Sequence, residues 1–172
     1  MRLDPPLDDR DHVRGPTGAP LELVMYGDFQ CPFCTAAQGM VARVRERAGE
    51  ELRFAYRHFP LPDIHPDAEL AAQAAEAAAT QGAFWPMHDR LYATGGRLAE
   101  SDLVGYAAEL GLDADRVAVE LRSGTHIARV TRDVDGGRRS GVVATPTFFA
   151  NGRAVAGAFD AGSLLVALRA DA

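Results

Sequence analysis

The hydrophobic positions of the first third of the chain change from a strand pattern to a helical pattern and back. Residues 21–26 are almost all apolar, which is typical of a strand covered on both faces, and apolar positions alternate in 51–59. Pro32–Ala48 carries apolar residues at helical spacing and is followed by Gly49, a common helix stop. The pattern therefore predicts a β-α-β start, with parallel strands joined by a right-handed crossover.

A long middle part of the chain follows helical periods. It lies between two stretches with strand patterns and is punctuated by glycines. The sequence predicts roughly five helices here, at about 65–80, 84–92, 101–110, 113–122 and 125–133.

Strand patterns return in residues 142–157, where two apolar runs are separated by Asn151-Gly152. This dipeptide is a strong signal for a type I′ hairpin, so the two strands should be antiparallel neighbours. A last helix is expected from Asp160 or Ala161 to Ala170. The end of the chain therefore has a β-β-α order.

The first twenty residues are rich in proline, aspartate and glycine. This composition predicts a loosely held lead, with one short edge strand near residues 12–14. We assign no chemistry to this segment.

Composition and charge limit the class of protein. The chain has 172 residues, of which 47% are apolar, enough for the core of one domain or of one domain carrying an insertion. A net charge of −6 argues against nucleic acid and anionic membranes as partners. No stretch reaches the ~20 apolar residues that span a bilayer, and residues 1–6 do not resemble a signal peptide. We therefore expect a cytoplasmic protein, with a trimmed export signal as the alternative.

The two cysteines of the chain, Cys31 and Cys34, have C-x-x-C spacing where the first strand meets the first helix. Unpaired N–H groups and the positive dipole end of a helix N-terminus favour a thiolate, which makes Cys31 the expected nucleophile. Cys34 lies about one turn further on, close enough for a disulfide but further from solvent. Pro32 suits the first turn because it gives up no hydrogen bond there. Together these residues indicate a redox dithiol.

The alternative for the cysteines is half of a zinc site, which needs two further ligands. The five histidines contain no H-x(3–5)-H pair, so the sequence predicts neither a metal nor another cofactor. His58 and His88 are candidates for contact with the site, but hydrogen-bonded core positions are expected. His65 is expected at a helix entry, and Asp28 is either a proton acceptor or a solvated cap.

Four aromatic residues are candidates for a groove that binds apolar peptide: Phe29, Phe33, Phe84 and Trp85. For Phe84 and Trp85 a plain core position is the preferred alternative. Phe33, between the two cysteines, is the one that we assign to substrate binding.

Several segments, taken in order, are similar to recurrent segments of one family. They are residues 28–34, 56–61, 65–68 and 84–89, followed by Thr145-Pro146-Thr147 before a hairpin and a closing helix. The set resembles the DsbA-like branch of the thioredoxin-fold superfamily, over nearly the whole chain from about Gly15. The resemblance implies an α/β thioredoxin fold whose halves, 1–60 with the cysteines and 140–172 with a cis-proline loop, are separated by a helical insertion, 61–139.

The resemblance also implies the activity of a thiol-disulfide oxidoreductase that acts on protein or peptide thiols and disulfides. Cys31 would attack and Cys34 would resolve the mixed disulfide. Pro146 would follow a cis bond beside the dithiol, so that backbone groups of Thr145 pair with an extended substrate peptide. Glutathione or a partner reductase or oxidase is a further expected partner.

Two positions depart from the family pattern. Met25 stands where a buried acid often precedes the first cysteine by six positions, and Phe33 stands where exported members have histidine. One donor to the Cys31 thiolate is thereby lost. Two alternative functions stay open: a glutathione-using small-molecule isomerase or transferase on the same fold, and a redox-switched peptide-binding module.

Overall fold

The computed structural model describes residues 1–156 and 160–170, and the chain divides into two compact units. One, here called the sheet unit, comprises Met1–Gly27, Pro32–Arg57 and Asp135–Ala172. The other, the helical unit, comprises Asp28–Cys31 and His58–Val134. The three predicted segments 1–60, 61–139 and 140–172 stay a prediction, and positions 157–159, 171 and 172 lie outside the described residues.

A sheet forms the centre of the sheet unit. In the described residues its strands are β1 His12–Arg14, β2 Leu21–Gly27, β3 Leu52–His58, β4 Thr147–Ala150 and β5 Arg153–Ala154, in the order β1-β3-β2-β4-β5. β1 pairs antiparallel with β3, β2 with β4, and β4 with β5. The order places β3 beside β2, as the β-α-β pattern predicts.

β2 is the central strand, and its apolar composition explains the position. The side chains of Leu23, Val24, Met25 and Tyr26 are fully buried, which is expected of a strand covered on both faces. Helix α1, Pro32–Ala48, follows it with the predicted bounds and packs against α7, Ala161–Ala170. A short 3-10 turn, Gly49–Glu51, leads into β3.

The predicted hairpin is confirmed. Asn151 and Gly152 have φ angles of 46° and 75°, the positive values that a type I′ turn requires at both central positions. The Asn151 side chain accepts a hydrogen bond from the Glu22 backbone N–H at 2.9 Å and donates one to the Leu168 carbonyl at 2.7 Å. The strand before the turn begins at Thr147 rather than at residue 142, and the predicted end at Gly157 lies outside the described residues.

The expectation of a loosely held lead is wrong. The guanidinium of Arg57, which is 2% exposed, binds both carboxylate oxygens of Asp11 at 2.8 Å and donates to the carbonyls of Pro5 and Pro6 and to the Tyr26 hydroxyl. Burial alone would lower the pKa of Arg57, but the hydrogen bonds and electrostatic attraction of Asp11 and Tyr26 outweigh it and raise the pKa above its usual value. One buried cation therefore anchors the lead.

In the described residues the helical unit is built from α2 Ala68–Ala79, α3 Phe84–Tyr92, α4 Glu100–Glu109, α5 Ala114–Ser123 and most of α6 Ile127–Arg139. The alanines of α2 allow close packing against α3, α4 and α5. No described helix is both long and apolar enough to cross a membrane.

Helix α5 shows how local signals set its limits. The Asp113 side chain caps it by accepting a hydrogen bond from the Arg116 N–H at 2.9 Å, and Gly124 ends it with a φ of 66°. Within the unit, the Glu120 carboxylate binds Arg116 Nε at 2.7 Å and His126 Nε2 at 2.8 Å. Burial raises the pKa of Glu120, but the hydrogen bonds from His126 and Arg116 prevail and lower it.

Helix α6 continues through Gly136 to Arg139, past its predicted end near Asp133. A Cβ on Gly136 would lie 3.2 Å from Pro5 Cδ and 3.4 Å from the Tyr26 hydroxyl. Glycine at this position therefore allows close packing within the sheet unit without a shift of these neighbours, and it does not mark a helix end.

Candidate active site

The two cysteines lie at the start of α1, as predicted. Cys31 directly precedes the helix and Cys34 is in its first turn; both are free thiols. Cys31 is 3% exposed and Cys34 is fully buried, so the expected order of accessibility holds by a small margin. Pro32 and Phe33, between them, are exposed, with Phe33 at 72%.

The turn before Cys31 is organised by the Asp28 carboxylate. Its Oδ1 atom accepts hydrogen bonds from the backbone N–H groups of Gln30 at 2.7 Å and Cys31 at 3.2 Å. Its Oδ2 atom accepts one from the Leu61 N–H at 3.0 Å and lies 2.8 Å from His65 Nδ1. Because three of these partners are amide donors, both oxygens act as acceptors, and His65 donates from Nδ1 to complete the set.

Asp28 is 2% exposed, so the solvated-cap interpretation is wrong. The residue instead connects the turn before the dithiol to the segment that follows β3. His65 lies before α2, near the helix entry where it was expected, and it is also a partner of Asp28.

Two further residues of the same turn bind within the helical unit. The Gln30 side chain accepts a hydrogen bond from the Asp67 N–H at 2.8 Å and donates one to the Asp67 carboxylate at 3.2 Å. The Phe29 ring packs 4.9 Å from that of Tyr92 and 5.7 Å from that of His88, measured between centroids. Phe29 is therefore a core residue at 3% exposure and does not line an open groove.

The two candidate histidines occupy core positions, each 1% exposed. His58 Nε2 lies 2.8 Å from the Glu76 carboxylate, and His88 Nδ1 lies 2.8 Å from Asp89. Phe84 is buried beside them at 5% exposure. The preferred interpretation of these side chains as core residues agrees with the structure.

A groove in the sheet unit joins the three residues assigned to substrate binding. Its cavity volume is about 430 Å³, and we call it the α1 groove. It is lined by Phe33, Ala36, Ala37, Met40, Arg43, Thr145 and Pro146. The groove starts in the turn of α1 that holds Cys34 and is bounded by the loop before β4.

The loop before β4 has the expected backbone isomer. The Thr145–Pro146 peptide bond is cis. Thr145 is 8% exposed, and the Thr147 hydroxyl donates to the Ala144 carbonyl at 2.7 Å. Pro146 has no N–H for a strand ladder, which explains why β4 begins only at Thr147.

Met25, at the position where the family often carries an acid, is fully buried. Its sulfur lies 3.9 Å from the Gln38 side-chain nitrogen, which also donates to the Cys34 carbonyl at 3.2 Å. A neutral amide and a thioether thus adjoin the turn of Cys34, and neither group exchanges protons readily.

Sequence reasoning missed the part of the groove beyond Phe33. Ala36, Ala37 and Met40 follow Phe33 at the i+3, i+4 and i+7 spacing of one helix face, a signal that was present. Arg43, at the end of this face, was not assigned. The four hydrogen bonds of Asp28 were also missed, because two of its partners are more than thirty positions away.

Residues 8–169 match the Thioredoxin_4 family, described as thioredoxin. The fold is similar to that of a thioredoxin-like oxidoreductase from Silicibacter pomeroyi DSS-3, with 25% identity, a TM-score of 0.84, and coverage of 95% of this chain and 93% of that one. DsbA2 from Pseudomonas aeruginosa is 27% identical, with a TM-score of 0.76 and 94% of each chain covered.

A relative in sequence is named as an ion transporter and not as an oxidoreductase. The chain is 49% identical over 166 residues to the Na⁺/H⁺ antiporter NhaA 1 of Salinispora arenicola, a match that covers 95% of this chain and 25% of that protein. The chain spans about a quarter of the length of the curated relatives that it matches.

Proposed function

The chain is a DsbA-like member of the Thioredoxin_4 family, and we propose that it is a protein disulfide oxidoreductase that works through the Cys31/Cys34 dithiol. The observation that carries the proposal is the position of this dithiol. It lies at the start of α1, and the α1 groove begins in the same turn. An exposed Phe33 and the Thr145–Pro146 loop line that groove, where an extended peptide can reach backbone groups.

The proposed reaction begins with the disulfide form of the enzyme. A substrate thiolate attacks Cys31 Sγ, which forms a mixed disulfide and releases Cys34 as a thiolate that takes up a proton. A second substrate thiolate then attacks the substrate sulfur of the mixed disulfide, and Cys31 leaves as the thiolate. Two electrons pass from two substrate thiols to the enzyme, which ends as a dithiol. Reduction of a substrate disulfide runs the same steps backward, with Cys34 resolving.

The roles of the neighbouring residues follow from their places. Pro32 begins the helix, so the chain direction changes directly after Cys31. Phe33 offers apolar surface to the residue next to the substrate cysteine. Thr145 and Pro146 form the opposite wall of the α1 groove. Glutathione or a partner reductase or oxidase would restore the starting redox state.

The test is turnover of a fluorescent disulfide-linked peptide by the wild type and by the Cys31→Ser and Cys34→Ser variants. We expect multiple turnovers only in the wild type. Cys34→Ser should form a mixed disulfide that accumulates and is detected by mass spectrometry, because its resolving thiol is missing. Cys31→Ser should form none.

Two outcomes would contradict the proposal. Full turnover of small-molecule substrates by Cys34→Ser would favour a glutathione-using isomerase or transferase, which needs one thiol. Peptide binding that changes with redox state, without turnover in any variant, would favour a redox-switched binding module.

A second candidate function is favoured by the antiporter relative, since nearly the whole chain matches one quarter of it. We propose that the domain also acts as the dithiol module of a transporter polypeptide. The chain would replace the matching quarter of the Salinispora arenicola protein, and Na⁺/H⁺ exchange would be measured in vesicles under oxidising and reducing buffers. Exchange that responds to redox state, and that loses the response with Cys31→Ser, supports this role; an unchanged rate contradicts it.

The cytoplasmic location also belongs to the proposal. Rapid acid quenching of cells, followed by alkylation, should then trap Cys31 and Cys34 mainly as thiols, because cytoplasmic reductants keep such pairs reduced. Recovery of the pair mainly as a disulfide would contradict this location.

A further inference from the structure

Among the described residues, the α1 groove combines an apolar floor with a single charged side chain. Phe33, Ala36, Ala37 and Met40 form one apolar face of α1, and Arg43 ends it. Thr145 and Pro146, on the other wall, carry no charge. A peptide that occupies the groove would therefore meet apolar surface near the dithiol and one cation further along the helix.

Arg43 is available to a ligand. The residue is exposed, and in the described part of the chain its guanidinium makes no ion pair. Its Nη1 atom lies 3.9 Å from the point where a Cβ on Gly39 would stand, so the side chain runs back along α1 toward the dithiol. The guanidinium therefore lies beside the helix surface at the turn of Gly39.

We propose that Arg43 makes this enzyme select peptides that carry an acidic residue about four to six positions from the reacting cysteine, with an apolar residue beside that cysteine. The inference rests on the proposed oxidoreductase function and adds the substrate class. Arg43 is a specificity residue in this scheme and takes no part in the exchange of disulfides.

The spacing follows from helix and strand geometry. Gly39 and Arg43 follow Phe33 by six and ten positions, which is about 9 and 15 Å along the helix axis at ~1.5 Å per residue. An extended peptide rises by ~3.3 Å per residue. The residue directly beside the cysteine faces Phe33, so 9 to 15 Å further along the peptide corresponds to a carboxylate about four to six residues from the cysteine.

The net charge of the chain cannot by itself produce a preference for acidic peptides. A net charge of −6 repels acidic peptides at long range, so a preference for them requires a local cation. The preference should also decline as salt rises from about 0.05 to about 0.5 M, because added salt shortens the Debye length and screens an exposed charge pair.

The experiment uses a neutral cysteine peptide in which single Glu, Gln or Lys residues are placed at successive positions on either side of the cysteine. The kcat/KM values for the oxidised enzyme are measured with the wild type, Arg43→Glu and Arg47→Glu. Arg47 is the matched control: it is exposed on the same helix one turn further on, outside the α1 groove, and the substitution changes the net charge equally.

We expect the wild type to prefer Glu over Gln about two- to fivefold at about four to six positions from the cysteine, the size of effect that an exposed ion pair produces. Arg43→Glu should reverse the preference in favour of Lys, and Arg47→Glu should retain it. Circular dichroism of each variant checks that it is folded.

Two results would overturn the inference while leaving the oxidoreductase function intact. One is equal turnover of Glu and Gln peptides by the wild type. The other is a shift with Arg47→Glu as large as that with Arg43→Glu, which would mean that only the overall charge matters. No turnover of any peptide, with the wild type equal to Cys31→Ser, would instead refute the proposed function itself.

Discussion

Asp28→Asn exchanges one carboxylate oxygen for an amide nitrogen inside the turn before the dithiol. In the native turn each oxygen of Asp28 serves two donors, one pair within the turn and one pair on the segment after β3. The best arrangement of Asn keeps its oxygen toward the Gln30 and Cys31 N–H groups. Its nitrogen then faces the Leu61 N–H, a donor opposite a donor, while His65 can accept after a change of tautomer.

The expected loss is about 2 to 4 kcal/mol of unfolding free energy. Hydrogen bonds to a charged group contribute ~1.5–3 kcal/mol and neutral ones ~0.5–1.5, so three surviving bonds each weaken. The Leu61 N–H loses its acceptor, which costs a further ~1–3 kcal/mol if water does not replace it. The neutral amide is easier to desolvate than the carboxylate, so its burial offsets part of this loss of unfolding free energy.

Urea unfolding at pH 7 measures the change as a shift of the midpoint at constant slope. Asp63→Asn is the matched control, since Asp63 is an exposed acid two residues after Leu61. His65→Ala should fall between the two, because it removes one of the four partners of Asp28. The reasoning is refuted if Asp28→Asn loses no more stability than Asp63→Asn, since the carboxylate would then hold nothing in place.

Three further outcomes are expected. Brief alkylation of the reduced protein should label Cys31 before Cys34, in keeping with exposures of 3% and 0%, as read by peptide mass spectrometry. Asp11→Asn should cost about 3–5 kcal/mol in urea unfolding, because Arg57 then holds a buried charge without its carboxylate. The pKa of Glu120 is lowered despite its burial, so its stabilisation is present above the unfolded value of ~4.3 and is lost as pH falls through the folded value. Glu120→Gln should remove this pH dependence of unfolding, measured from pH 3 to 7.

Each of these outcomes has a control. Faster labelling of Cys34 would contradict the assigned roles of the two thiols. Asp9→Asn, an exposed acid of the same lead, should leave stability nearly unchanged, and equal losses for Asp9 and Asp11 would argue against the anchoring role of Arg57. A difference between wild type and Glu120→Gln that stays constant below pH 5 would show that the ion pairs of α5 contribute no proton-linked stability.

Periodic patterns predicted helices well where residues close to each other in the chain determine both ends of the helix. The bounds of α1, α3 and α7 match the predicted ones, because apolar spacing, a first-turn proline in α1 and a following Gly49 act within a few residues. The predicted end of α6 near residue 133 is too early, because Gly136 lies inside the helix and allows contact with Pro5. A glycine that permits close packing cannot be distinguished from one that ends a helix without knowing the neighbour.

The lead shows the same limit of local reasoning. Its composition is typical of a flexible segment, yet Asp11 is held by Arg57, 46 positions further along the chain. Composition indicates how much apolar surface a segment can bury. The lead is instead held in place by one ion pair and by hydrogen bonds to two of its carbonyls. An arginine near the end of a largely apolar strand was the available sign, because a buried guanidinium requires several acceptors.

In the candidate site, the dithiol could be predicted because its chemistry depends on adjacent residues and on a helix start. The support of the turn before Cys31 could not, since Leu61 and His65 lie 33 and 37 positions from Asp28. These long-range hydrogen bonds mean that the backbone at Cys31 is positioned by residues outside the C-x-x-C motif. Substitutions at residues 61–67 should therefore change the reactivity of Cys31 even though none of these side chains belongs to the motif, and the alkylation rate of Cys31 in His65→Ala measures that dependence directly.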